Sequence, residues 1–187
     1  MQATAALILA AGLGTRFGGR KLLAPIDGKP MLQHVLDLAA DAGLSPVVVV
    51  LGTDGDELLA NCTWREEIQV FNWQPSAGLS GSIARGIAAM SGTQATRTAV
   101  LLGDQPFLAA DQLDAILDAS GDIVVPRYGG KPGNPVVLER SVWPLAASLQ
   151  GDRGFSQLFD AHRESVTYVD VAGANPDIDM PADLSRA

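Results

Sequence analysis

The chain has 187 residues, 47% of them hydrophobic, and a formal net charge of −8 at pH 7. That length supports one full-sized core and is short for two, so a single domain spanning residues 1–187 is expected. The acidic balance argues against extended binding to nucleic acid, the lone Cys62 excludes an internal disulfide, and neither it nor His34 and His162 has zinc-site spacing.

The apolar stretch from Ala3 to Ala11 is too short to span a bilayer, and no basic segment precedes it. A cytoplasmic chain in a reducing compartment, without membrane contact, is the expectation. In chain order, TAALILA (4–10) reads as a strand buried on both faces. It runs into LILAAGLGTRFGGRKLLAP (7–25), a loop dense in glycine. Across residues 16–29, Arg16, Arg20, Lys21 and Lys29 stand against Asp27 alone, a local +3 in an acidic chain.

Leu32, Val35, Leu36 and Ala39 then mark the apolar face of a helix. PVVVVLG (46–52) reads as a second strand, and GLSGSIARGI leads into a helix carried by Ile83, Ile87 and Met90. TAVLLGD (98–104) is a third strand, followed by a helix through Leu113, Ile116 and Leu117, and DIVVP (122–126) is a fourth. RYGGKPGNPVVLE then breaks the pattern, which suits a hairpin or an irregular excursion before a short β-prone run. The alternation predicts an α/β fold: a largely parallel sheet covered by helices on both faces, with ligands bound beyond the carboxyl ends of its strands.

The opening loop fails two familiar phosphate motifs. A P-loop needs a hydroxyl after its lysine, and Leu22 follows Lys21; a dinucleotide fingerprint needs its third glycine where Phe17 stands. Backbone N–H groups from Gly12 to Gly18 can still cradle an anion, with Arg16 and Lys21 neutralising it.

The loop resembles the signature of nucleotidyltransferases of the GT-A-like fold, with Ala11, Gly12, Gly14, Arg16, Gly18 and Lys21 in register. Over nearly its whole length the chain is similar to the molybdenum cofactor cytidylyltransferases. GLSGSIARGI, LLGDQP, GNPVVL, GDRGFSQLF and DIDMPADL follow in that family's order. The resemblance implies a three-layer α/β/α Rossmann-like fold with a mostly parallel mixed sheet. It also implies transfer of CMP from CTP to the terminal phosphate of the molybdopterin cofactor, with release of pyrophosphate.

Under that resemblance Arg16, Lys21 and Asp104 are the catalytic residues, and Ala10, Ala11, Gly12, Gly14, Arg16, Lys21 and Ser82 bind the nucleotide. Asn134 binds the acceptor, and Asp104 and Asp179 hold Mg2+. A molybdoenzyme or its maturation factor would be the recipient. Each residue also has a plainer role open to it. Asp104 and Asn134 suit turns, Ser80 and Asp152 suit helix N-caps, and Asp183 suits the first turn of a helix after Pro181. Asp177 competes with Asp179, and Trp64, Trp73 and Trp143 suggest packing only. The related guanylyltransferases show a glycine where Ala11 stands, so its methyl group favours CTP over GTP. Two other functions remain open: transfer to another phosphorylated small molecule, such as a sugar phosphate, and non-catalytic carriage of nucleotide or cofactor to a partner.

Overall fold

A strand with no polar face must be covered on both sides, and β1 (Ala5–Ala10), nowhere more than 8% exposed, lies in the interior of the main sheet. The computed structural model describes residues 4–74, 78–151 and 154–185. The other strands are β2 (Pro25–Ile26), β3 (Lys29–Pro30), β4 (Val47–Leu51), β5 (Ile68–Phe71), β6 (Arg97–Leu102), β7 (Ile123–Tyr128), β8 (Lys131–Pro132), β9 (Val136–Glu139) and β10 (Val166–Val171). The helices are α1 (Met31–Asp41), α2 (Gly55–Asn61), α3 (Leu79–Ser91), α4 (Ala110–Leu117) and α5 (Ser156–Ala161).

The eight-stranded sheet runs β10-β7-β9-β6-β1-β4-β5, with β8 hydrogen-bonded to β7. β1 is parallel to β4 and β6, β4 to β5, and β7 to β10. β9 alone on this path inserts antiparallel, between β6 and β7. β2 and β3 form a separate two-stranded ladder.

Alternate residues of β1 feed two cores. Ala6, Ile8 and Ala10 pack with Leu32, Val35 and Leu36 of α1 and with Leu113 and Ile116 of α4. Ala5, Leu7 and Leu9 pack with Ile83, Ile87 and Met90 of α3 and with Trp143, Phe155 and Leu158. The result is the expected three-layer α/β/α arrangement, built on the apolar helix faces read from the sequence.

The β2–β3 ladder, the strands β5 and β10 and the helix α2 lie outside the expected pattern. β5 and β10 close the two edges of the sheet, and edge strands keep polar or exposed positions such as Gln69 and Asp170 that interrupt an apolar run. α2 is a short helix with only Gly55 and Leu58 buried, too few to show a period. The glycine-rich excursion resolves into the β7–β8 hairpin, followed by β9.

Two further expectations are corrected. Ser80 does not cap α3: Gly78 holds the cap position with φ +86°, and the Ser80 backbone N–H donates to Gly151 O at 3.0 Å. Trp73 is not packed inside; it is 62% exposed and stacks on Phe71 with ring centroids 4.7 Å apart. Trp143 is buried, as expected. Asp152 lies outside the described residues. Among the described residues no helix is long and apolar enough to cross a membrane.

α3 approaches β1 closely because residue 86 has no side chain. A Cβ there would stand 2.3 Å from Leu7 Cδ1 and 3.0 Å from Val50 Cγ2, and both neighbours are fully buried. Alanine normally gains about 1 kcal/mol over glycine inside a helix, whereas overpacking a filled core costs about 1–3 kcal/mol. Gly86→Ala is therefore expected to lower stability in urea or thermal unfolding. An unchanged or raised midpoint would show that Leu7 yields at no cost.

Candidate functional site

The parallel strands β1, β4 and β6 end along one edge of the sheet, and the loop leaving β1 is folded back across that edge. Gly14 makes the reversal possible with φ +56°, and a Cβ on it would press to 3.1 Å against Lys21 Cβ. Its carbonyl accepts hydrogen bonds from Phe17 N at 3.0 Å and Gly19 N at 3.1 Å, closing one tight turn. A second turn begins at Lys21, and the neighbouring Leu22 is anchored in the core.

The outcome is a cleft of about 490 Å³ that brings together Ala10, Ala11, Gly12, Gly14, Arg16, Lys21, Ser82, Asp104 and Asp179. Every residue expected at the nucleotide or the metal is thus gathered in one place, from stretches far apart in the chain. Asn134 lies instead in a second cavity of about 370 Å³, with Gly133, Phe155, Phe159 and Tyr168. Leu9, Leu79 and Leu102 line both cavities and form their shared wall.

Lys21 is the electrostatic centre of the cleft. Its Nζ donates to Asp104 Oδ2 at 2.7 Å and to Asp179 Oδ1 at 3.1 Å, while Arg16 Nη1 donates to Asp179 Oδ2 at 2.7 Å. Burial of the ammonium works against its charge, but Asp104 and then Asp179 outweigh it, so the pKa lies above the ordinary lysine value. Lys21 is therefore cationic at neutral pH.

The local +3 of the sequence divides into two groups. Arg16 and Lys21 face the cleft, whereas Arg20 pairs with Glu57 and Lys29 with Asp37, each at 2.9 Å on the outside. Such exposed pairs contribute only about 0–1 kcal/mol.

The three carboxylates near the C-terminus are also sorted by the fold. Ile178 is 1% exposed, and its backbone N–H donates to Asp104 O at 3.0 Å, which fixes the segment beside β6. Asp179 then faces Lys21, while Asp177 accepts from Gln105 Nε2 at 2.7 Å. Loss of surrounding water and the charge of Asp104 both raise the pKa of Asp177. Asp183 Oδ2 accepts from the backbone N–H groups of Asp179 at 3.0 Å and Met180 at 2.8 Å, holding the turn that presents Asp179. It lies in the first turn after Pro181, as expected.

Several contributors escaped the sequence reading. Gly52, just after β4, would carry a Cβ 3.0 Å from both Cα and O of Ala11, so its bareness lets the opening loop settle there. Asn72 donates from Nδ2 to Oγ of the expected Ser82, itself 5% exposed, at 2.9 Å. Asn175 Nδ2 donates to Gln105 Oε1 and to Asn134 O, both at 3.0 Å, and Tyr128 Oη donates to the same Asn134 carbonyl at 3.0 Å. Amides of this kind carry no periodicity, and only Gln105, inside GDQP, sits in a motif the sequence marks.

Among the described residues no group of three or more His, Cys, Asp or Glu is assembled to hold a metal. Two carboxylates do converge on one cationic atom, Lys21 Nζ. That donor set fits a hard divalent ion that keeps waters and completes its shell with substrate phosphate.

The parallel sheet, the crossover helices and a phosphate-type loop beyond the strand ends define the Rossmann-like nucleotidyltransferases. The chain belongs to the MobA-like NTP transferase domain family, whose model matches residues 6–166. The structure is similar to that of Rv0371c from Mycobacterium tuberculosis H37Rv, with 31% identity, a TM-score of 0.87, and coverage of 100% of this chain and 97% of that one. A second structure of that protein, in complex with manganese, matches at 30% identity with a TM-score of 0.83 over 100% of this chain and 97% of that chain. Among curated relatives, the bifunctional protein GlmU of Sphingopyxis alaskensis is 36% identical over 143 residues, 74% of this chain. The match spans 31% of that relative's length, so the chain corresponds to about a third of it.

Asn175 ties the Asp104–Gln105 turn to the Asn134 loop through two hydrogen bonds. Removing a group so that partly buried partners lose their bonds costs about 1–3 kcal/mol. Asn175→Ala is expected to lose stability in that range by urea denaturation, and a change below about 0.5 kcal/mol would show that water replaces both bonds.

Proposed function

We propose that this nucleotidyltransferase transfers CMP from CTP to the terminal phosphate of the molybdopterin cofactor and releases pyrophosphate, with the 187 residues acting as one domain in the cytoplasm. The observation that carries this reading is the cleft in which a glycine loop, Arg16 and Lys21 face Asp104 and Asp179. The adjoining cavity supports a ring-bearing acceptor, since Phe155, Phe159 and Tyr168 offer aromatic faces beside Asn134.

Asp104 and Asp179 would hold Mg2+, which supplies neutralisation of phosphate charge. The manganese complex of the M. tuberculosis protein supports a divalent ion of this type. A triphosphate carries about four negative charges, so it competes with Asp104 and Asp179 for Lys21 and with Asp179 for Arg16. Both side chains can thus exchange a carboxylate partner for phosphate oxygens within the same cleft. Backbone N–H groups of the loop add donors that need no side-chain motion. A phosphate nucleophile is already ionised, so no general base is required. Positioning the two substrates across the shared wall of Leu9, Leu79 and Leu102 is the chain's main contribution. The product would pass to a molybdoenzyme or its maturation factor.

The test is pyrophosphate release from each of the four nucleoside triphosphates, with Mg2+ and a panel of phosphorylated acceptors. Release with CTP and the molybdopterin cofactor is expected. Release only with another acceptor, such as a sugar phosphate, would overturn the acceptor, and tight binding without release would indicate a carrier. Asp104→Asn should lower kcat by roughly a hundredfold, the scale of losing one key electrostatic stabiliser; near-normal turnover at saturating Mg2+ would remove Asp104 from the chemistry. Ala11→Gly should lower the ratio of kcat/KM for CTP over GTP, and an unchanged ratio would detach base choice from that methyl group.

A further inference from the structure

Asn72 follows the edge strand β5 and is fully buried, although it lines neither cavity. Its backbone N–H donates to Leu51 O at 2.8 Å, which holds it to the end of β4. Its side chain makes two bonds of opposite sense. Oδ1 accepts from the backbone N–H of Gln74 at 3.1 Å, and Nδ2 lies 2.9 Å from Ser82 Oγ.

The first bond settles the direction of the second. A backbone N–H can only donate, so the amide oxygen must face Gln74 and the NH₂ must face Ser82. Ser82 Oγ therefore accepts from Asn72, and its own single proton cannot point that way. Ser82 is 5% exposed, and the surface it keeps lines the cleft. We infer that Asn72 is a positioning residue that sets the polarity of Ser82, turning its hydroxyl proton into the cleft so that the protein binds its nucleobase through an acceptor atom.

On the CTP reading, from which this inference takes its ligand, the acceptor is O2 or N3 of the cytosine ring. An exocyclic amine presented at the same point would meet a donor and be rejected. Asn72 touches no substrate and acts only through Ser82.

Asn72→Asp is close to isosteric and reverses the relay. One carboxylate oxygen keeps the Gln74 bond, while the other accepts the Ser82 proton and draws it out of the cleft. Calorimetric titration with CTP and Mg2+ should show affinity falling about tenfold in Asn72→Asp and about tenfold in Ser82→Ala, the scale of one net hydrogen bond. The double variant should be no weaker than Ser82→Ala alone, because both changes remove the same donor. In turnover, KM for CTP should rise while kcat at saturating CTP stays within about twofold, whereas general damage to the fold would lower both.

Where a buried carboxylate prevents folding, Asn72→Ala replaces it. Ser82 then rotates freely, and the loss should be smaller and again absent in the Ser82→Ala background. Wild-type affinity in Asn72→Asp, or losses that multiply in the double variant, would overturn the relay while leaving CTP binding intact. A wild-type protein that binds none of the four triphosphates would overturn the relay and the functional reading together.

Discussion

The cleft depends on one cation held between two carboxylates. Lys21, Asp104 and Asp179 come from the start, middle and end of the chain, and a single ammonium group joins them. Two carboxylates this close would repel each other and resist losing water without a positive charge between them. Lys21 supplies that charge, with Arg16 sharing Asp179 from the more exposed side. On the proposed reaction this arrangement exchanges partners, the triphosphate taking over Lys21 and Arg16 and the divalent ion taking over the carboxylates. Little backbone need move, because both exchanges occur at side-chain tips.

That meeting point exists only because the surrounding backbone packs unusually closely. Gly52 lets the Ala11 backbone lie against the end of β4, and Gly103 does the same beside β1, where its N–H donates to Leu9 O at 3.0 Å. Gly14 then turns the loop so that Lys21 returns over the strand ends. The opening loop is shaped as much by these contacts beneath it as by its own residues.

The segment from Asn175 to Asp179 joins the two halves of the site. Asp179 faces the cleft, Ile178 is fixed to Asp104, and Asn175 reaches both Gln105 and the Asn134 carbonyl. One short stretch therefore couples the charged cleft to the aromatic cavity, and on the proposed reaction it holds donor and acceptor in register. At the other end of the cleft, Asn72 governs Ser82 from behind. Asn175 beside the second cavity and Asn72 behind the cleft are both amides the sequence did not mark, one bonded to the Asn134 carbonyl and the other to Ser82 Oγ.

The sequence alone determined the strands around β1, the helix faces against them, and the glycine-rich cationic loop that borders the cleft. Uninterrupted apolar runs and 3.6-residue spacing report burial directly, and the glycine and cation pattern of residues 12–21 is local chemistry. Charge alone left Arg16, Arg20, Lys21 and Lys29 equivalent; the motif singled out Arg16 and Lys21, and the fold gives the physical reason by turning Arg20 and Lys29 to Glu57 and Asp37. The motif position of Asp179 and the helix-start position of Asp183 were readable, but the physical cause of the sorting, Ile178 entering the core between Asp177 and Asp179, was not. The edge strands β5 and β10 were hidden because a strand covered on fewer sides keeps polar residues. The tertiary structure decided these matters because each depends on partners distant in the chain, where distance and direction outweigh residue type.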